Sequence, residues 1–198
     1  SKYLALGFKM KKNKLLVNKN IIKKFIAEIT KNWVNDTSST EHFEVRCIHE
    51  YQPPIIQSFL PKELDIAADL IVKKNNEYFN IYMTINPIAS IHKINKVAKD
   101  ENIAIAHFSF ADADDKIGLE GLQHLSSINP PDIVVTTGTI PHKRLHYYWR
   151  LNISCKDMNK WRSYQKRIAE SFGTDKSVIN PSRIMRVPGT ITHPNKKK

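Results

Sequence analysis

The chain of 198 residues has only two cysteines, Cys47 and Cys155, far apart in sequence. No CxxC pair is present, so a structural zinc site is not expected. A disulfide between the two stays open, but two buried free thiols in a reducing compartment are the plainer reading. There is no stretch of about 18 apolar residues and no signal-peptide pattern, which argues against a spanning or secreted protein and against a membrane partner. Internal repeats and low-complexity linkers are also lacking. Acidic residues are scarce relative to basic ones: 19 Asp and Glu stand against 31 Lys and Arg, a formal net charge of +12. A surface so charged attracts polyanions: nucleic acid, nucleotides or an acidic membrane.

Hydrophobic residues make up 41% of the chain, enough to bury a core in one large domain or two small packed lobes. Residues 1–20 are basic and weakly periodic and are read as an extension, loosely ordered in part. Residues 21–198 are read as a single domain of two packed lobes. The closing Lys196-Lys197-Lys198 has no stop signal and reads as the cut edge of a longer protein.

Ile21, Ile22, Phe25, Ile26, Ile29 and Trp33 recur at helical spacing. Strands are expected at 43–48, 78–85, 103–110, 133–136, 146–151 and 184–187. A helix should open at Pro61, carrying Leu64, Ala67, Ala68, Ile71 and Val72 on one side. Another carries Met158, Trp161, Gln165, Ile168 and Phe172, with Asp157 as N-cap and Gly173 as its stop. Helices interleaved with strands predict an α+β (α/β) fold, a sheet with helices packed on it.

Three places hold residues suited to chemistry. The first is Phe108-Ser109-Phe110-Ala111-Asp112-Ala113-Asp114-Asp115. In a strand, residues i and i+2 share a face, so Asp112 and Asp114 project together. Two adjacent carboxylates repel unless a divalent cation sits between them. The plainer alternative is an acidic turn capping a helix. A calcium loop of the EF-hand kind fails, because Lys116 and Gln123 occupy its fifth and twelfth positions.

The second place runs from Thr136 through Gly138, His142, Lys143, Arg144 and His146 into Tyr147-Tyr148-Trp149. Lys143 and Arg144 suit phosphates, and His146 can donate to a phosphate oxygen or act as an acid. The alternative is a solvated hairpin. The third place holds Asp175, then Arg183-Ile184-Met185-Arg186-Val187-Pro188-Gly189, then Asn195-Lys196. Asp175 can add a third carboxylate, and the planar donor fork of arginine suits a triphosphate. Two salt-bridged surface arginines are the commoner fate of such a pair.

The order of these motifs resembles that of the archaeo-eukaryotic primase superfamily, in its primase-polymerase branch of plasmid, phage and CRISPR-associated proteins. The resemblance covers roughly residues 108–196. The hydrophobic-Asp-hydrophobic-Asp motif is matched by Asp112 and Asp114. The small-residue-x-His motif is matched by His146, with Arg144 where the small residue stands. The third motif is matched by Asp175, and the basic residues that follow by Arg183, Arg186 and Lys196.

The resemblance implies a core like an RNA-recognition-motif sheet with an accessory α/β lobe. It implies a DNA primase-polymerase, a nucleotidyltransferase extending a primer or initiating nucleotide from dNTP or NTP on a single-stranded or primed DNA template. Asp112, Asp114 and Asp175 would hold two Mg²⁺ or Mn²⁺ ions, with no zinc, while His146, Arg144, Arg183, Arg186 and Lys196 would grip the nucleotide. Helicase or other domains or subunits of a replication or CRISPR adaptation system are the expected company, in a prokaryotic cytoplasm. Tyr147, Tyr148 and Trp149 would stack on bases or fill the sheet, with packing expected for at least two. A metal-dependent nuclease and a silent single-strand-binding module are the rival readings.

Overall fold

A computed structural model describes residues 4–5, 16–33, 41–89 and 95–194. The chain divides into two compact units, one built from residues 1–7 and 103–183, the other from 8–102 and 184–198.

The first unit is a four-stranded sheet with two helices. In chain order it comprises β1 (Leu4–Ala5), β5 (Ala106–Ala113), α3 (Lys116–Ile128), β6 (Ile133–Gly138), β7 (Arg144–Cys155) and α4 (Met158–Phe172). The strand order is β1-β6-β7-β5, with β1 parallel to β6 and the other pairs antiparallel. Alternation divides the central strand: Leu145, Tyr147 and Trp149 join Ala111, Ala113 and Leu122 in one core, against which Leu119 and Leu125 of α3 and Ile168 of α4 pack. His146 and Tyr148 face the other way and are also buried. All three aromatic residues of β7 therefore serve packing.

β5 lies at the sheet edge, where its outward backbone groups lack a strand partner. Helix α4 supplies partners. Trp161 Nε1 donates to the Phe108 carbonyl (2.9 Å), and Gln165 Nε2 donates to the Phe110 carbonyl (2.7 Å). Both side chains are buried, so these bonds replace water that the edge has lost. The caps of α4 match expectation. Asp157 accepts from the backbone N–H of Asn159 and Lys160, and Gly173 ends the helix at φ 63°, where a Cβ is strained.

The second unit has α1 (Lys19–Thr30), β2 (Phe43–Ile48), β3 (Ile55–Phe59), α2 (Leu64–Asn76), β4 (Asn80–Thr84) and β8 (Ile184–Arg186). Its antiparallel sheet runs β3-β2-β4-β8. The apolar stripe of α1, Ile22, Phe25, Ile26 and Ile29, is fully buried, as are Ala67, Ala68 and Ile71 of α2. Cys47 is buried here, and burial pushes its thiol up to about 11. Cys47 and Cys155 are both free, Cys155 being only half-buried.

Three strand or helix elements had no counterpart in the sequence reading: β1, which falls within the extension, α3 and β3. α3 contains Gly118 and Gly121, which depress helix propensity, and β3 follows Pro53-Pro54 with polar Gln57 and Ser58 in its middle. The strand expected at 103–110 starts later and runs to Ala113, so Asp112 is a strand residue. Tyr78 belongs to the turn that closes α2, at φ 68°, and the following strand begins at Asn80. Most of the basic extension lies outside the described residues. Among the described residues no helix is long and apolar enough to cross a membrane.

Candidate active site

The register of β5 against β7 places Asp112 opposite His146. His146 Nε2 lies 3.3 Å from Asp112 Oδ2, and its Nδ1 lies 3.1 Å from the Tyr148 hydroxyl. Asp114 follows the end of β5, two residues on, and so shares the face of Asp112. The next residue, Asp115, is used differently, since its carboxylate accepts from Gly118 N–H and caps α3. The acidic run thus splits between a helix cap and a convergent pair.

Asp175 arrives from the far end of α4. Its backbone N–H donates to the Asp112 carbonyl at 2.9 Å, continuing down the β5 edge the series begun by Trp161 and Gln165. Two features bring it there. Gly121 lets α3 approach α4 so closely that a Cβ on it would lie 1.8 Å from the Phe172 carbonyl oxygen. Gly173 then turns the chain out of the helix. The Asp175 carboxylate is oriented by Ser177, accepting from its N–H and its hydroxyl, both at 2.8 Å.

Asp112, Asp114 and Asp175 each offer a carboxylate oxygen within 4.8 Å of the others. The Asp112 Oδ1 atom is buried and has no hydrogen-bond partner. Asp114, though the most exposed of the three, has its carboxyl held above the usual carboxylate range. Desolvation is the main cause, followed by the charge of Asp112, with a contribution from Asp175; His146 and Arg144 oppose the shift. Mutual repulsion and an unpartnered buried oxygen are what a divalent cation relieves. An all-carboxylate donor set suits hard ions of the Mg²⁺ and Mn²⁺ kind rather than zinc. The residues therefore fit such an ion.

The basic candidates divide. Arg144 opens β7 opposite Gly138, with its guanidinium lying where a Gly138 side chain would be, and its Nε is buried without a partner. Arg183 donates to Ser177 Oγ at 3.0 Å and lies 3.7 Å from Asp175 Oδ2. Arg186 belongs to the second unit. It donates to Asn80 Oδ1 and the Tyr82 hydroxyl at 3.3 and 3.2 Å and stacks over the Tyr82 ring. Lys196 lies outside the described residues.

Three neighbours of the site escaped the sequence reading as contributors to its geometry. His142 Nε2 contacts the Asp114 carbonyl, Ser177 orients Asp175, and Tyr148 contacts His146. For Ser177 the Asp-x-Ser spacing of a side-chain-capped turn was an available signal, and for Tyr148 the i, i+2 spacing in a strand.

No protein-family model matches the sequence, and no curated protein matches it. Solved structures do. The AEP domain of the cyanophage S-2L primase-polymerase superposes with a TM-score of 0.61 at 16% identity, over 90% of this chain and 92% of that one. The catalytic domain of the primase RepB′, solved in complex with initiator DNA, gives 0.57 at 12% identity, over 89% and 81%. A second structure of primase RepB′ gives 0.56 at 11%, covering 89% of this chain and 52% of that one. The acid cluster stands on the sheet of this shared topology. The chain has the α+β fold of the archaeo-eukaryotic primase catalytic domain found in primase-polymerases.

Proposed function

We propose that the chain is a template-directed nucleotidyltransferase of the primase-polymerase kind. It would join dNTP or NTP to a primer 3′-hydroxyl or an initiating nucleotide. The observation that carries this reading is the convergence of Asp112, Asp114 and Asp175 beside His146 on a sheet of the primase fold.

Asp112, Asp114 and Asp175 hold two Mg²⁺ or Mn²⁺ ions in this reading. Bound there, the ions would lower the pKa of the attacking hydroxyl and stabilise the charge that develops as pyrophosphate leaves. The chain's own part is positioning. Ser177 and the β5 edge orient Asp175, and His146 holds Asp112 from the side. His146, Arg144, Arg183, Arg186 and Lys196 grip the triphosphate in this reading, with fixed cations most effective where negative charge grows. A nuclease would use a similar carboxylate cluster but has no need of a triphosphate grip. A silent binding module has no reason to assemble three carboxylates against their mutual repulsion. Incubation with a primed template, dNTPs and Mn²⁺ separates the three: the proposal expects extension, and degradation or a bare gel shift would refute it.

The net charge of +12 leads to a binding prediction. Affinity for single-stranded or primed DNA should fall steeply and linearly in log–log form with salt, as counterions are released. Asp112→Asn should bind DNA as well as the parent or more tightly, because a negative charge is removed. Salt-independent binding in a filter or anisotropy titration would count against a nucleic-acid partner.

A further prediction separates nucleotide grip from template binding. Arg186→Ala should raise the dNTP KM, lower kcat, or both, costing on the order of 2–4 kcal/mol in kcat/KM. Arg186→Lys should recover part of this, since it keeps the charge and loses the planar fork. Melting curves serve as a control, because both substitutions also remove the bonds to Asn80 and Tyr82. If Arg186→Ala weakens DNA binding and leaves the dNTP dependence alone, Arg186 belongs to the template track.

A further inference from the structure

We propose that Gly138 is a positioning residue for Arg144: because it has no side chain, the Arg144 guanidinium lies over the end of β6 and is held beside the acid cluster as a fixed cation for the phosphate oxygens of an incoming nucleotide. The nucleotide rests on the nucleotidyltransfer reading above; the hold of Gly138 on Arg144 does not.

Strand register sets the place. β7 pairs with β5 through His146 opposite Asp112 and Leu145 opposite Ala113. One residue further, beyond the end of β5, Arg144 comes level with Asp114, and at two residues' distance it shares the face of His146. Its partner on the other side is Gly138, the last residue of β6. A Cβ on Gly138 would lie 2.2 Å from Arg144 Nη2, 2.6 Å from Nε and 2.7 Å from Cζ. The guanidinium thus occupies the space that any other residue's side chain would take, and a glycine in a strand marks such close approach.

The other arginines near this chemistry are engaged. Arg183 is spent on Ser177 and Asp175, and Arg186 on Asn80 and Tyr82. Arg144 is half-buried, and its Nε is buried with no hydrogen-bond partner. A guanidinium that has lost water on one side without gaining a partner there profits most from a charged acceptor. Its charge already reaches the cluster: desolvation and then the charge of Asp112 raise the Asp114 carboxyl, and after His146 it is Arg144 that draws it down. A guanidinium stays charged at every working pH, so the device acts on its place rather than on its protonation. An unrestrained arginine side chain spreads over many rotamers and loses that freedom on binding; one seated over glycine has lost it in advance.

The test uses the full chain. Gly138 does not sit in the left-handed region, and a Cβ there meets only the movable end of a side chain, so Gly138→Ala should fold and melt close to the parent. Affinity for dATP is measured by calorimetric titration with Mn²⁺ and without template, so that nothing turns over. Gly138→Ala and Arg144→Met, which keeps most of the stem, should each weaken dATP binding about tenfold. The double variant should weaken it no further, because the glycine acts only through the arginine. A glycine needed merely for the fold would add its own loss to that of Arg144→Met. In extension assays both single variants should raise the dATP KM by the same factor, with a smaller change in kcat.

A Gly138→Ala chain that binds dATP as the parent does overturns the proposal, as does an unchanged Arg144→Met or a double variant in which the two losses add. So does a Gly138→Ala chain that fails to fold, since more than a movable side chain would then stand over Gly138. Losses confined to DNA affinity also overturn it and put Arg144 on the template track. If the parent binds dATP and extends no primer, the polymerase reading fails, and the binding cycle still decides the hold of Gly138 on Arg144.

Discussion

If the proposed nucleotidyl transfer is correct, Asp112→Asn and Asp114→Asn should each reduce nucleotide addition by about a thousandfold or more while the fold stays intact. The magnitude follows from the several kcal/mol that metal ions contribute to such transition states, at about tenfold per 1.4 kcal/mol. Asparagine keeps the shape of the side chain and removes its charge, so the loss isolates cation binding. The Asp114 carboxyl is held up first by desolvation and then by the charge of Asp112, with a smaller part from Asp175, and neutralising Asp112 or Asp114 removes that repulsion between them. The apo variants should therefore melt at or slightly above the parent temperature. A readout besides turnover comes from Mn²⁺ itself. At a hundred times its Kd, a cation bound by the three carboxylates would add about 2.7 kcal/mol to the parent, a rise in Tm of roughly 5–10 °C, and would add little to either variant. Near-normal extension by a folded Asp112→Asn or Asp114→Asn chain would remove these residues from the centre.

Gly121→Ala has an expected sign opposite to that of helix propensity. An exposed glycine-to-alanine change inside a helix gains about 1 kcal/mol. Here the added methyl would sit 1.8 Å from the carbonyl oxygen of Phe172, which is backbone and cannot swing aside. Overpacking of this kind costs up to about 3 kcal/mol, so a net loss of about 2 kcal/mol and a fall in Tm of roughly 4–8 °C are expected. The displaced segment is Phe172-Gly173-Thr174-Asp175, and its end carries the third carboxylate. A shift of about 1 Å in a positioned group can cost about a hundredfold in rate, so activity should fall well beyond what the lost stability explains. Circular dichroism melts and extension rates measured below the transition distinguish the two effects. A variant as stable and as active as the parent would show that α3 and α4 are not in the close contact described.

The local part of this site was legible in the sequence and the long-range part was not. Alternation from Phe108 to Asp114 was enough to put Asp112 and Asp114 on one face, because strand geometry acts between next-nearest neighbours. Asp157 and Gly173 announced both ends of α4 for the same reason: caps are local chemistry. That Asp112 stands opposite His146 depends on the register of two strands, which only the packed sheet settles. That Asp175 donates its N–H to Asp112 depends on how closely α3 meets α4, and the glycine allowing it was the feature that hid α3 from a propensity-based reading. Family resemblance singled out Asp175 without explaining its place; the edge of β5 supplies the explanation.

The same edge has a consequence for solution behaviour. A bare strand margin invites a second molecule to add its own strand, the first step towards ordered aggregates. On β5 the carbonyls of Phe108, Phe110 and Asp112 are occupied in turn by Trp161, Gln165 and Asp175. The segment that completes the acid cluster thus also keeps other chains from docking there. Peeling α4 away would undo both at once. A partly opened molecule would lose its third carboxylate at the moment its margin became adhesive, so loss of activity and onset of turbidity should track each other on heating.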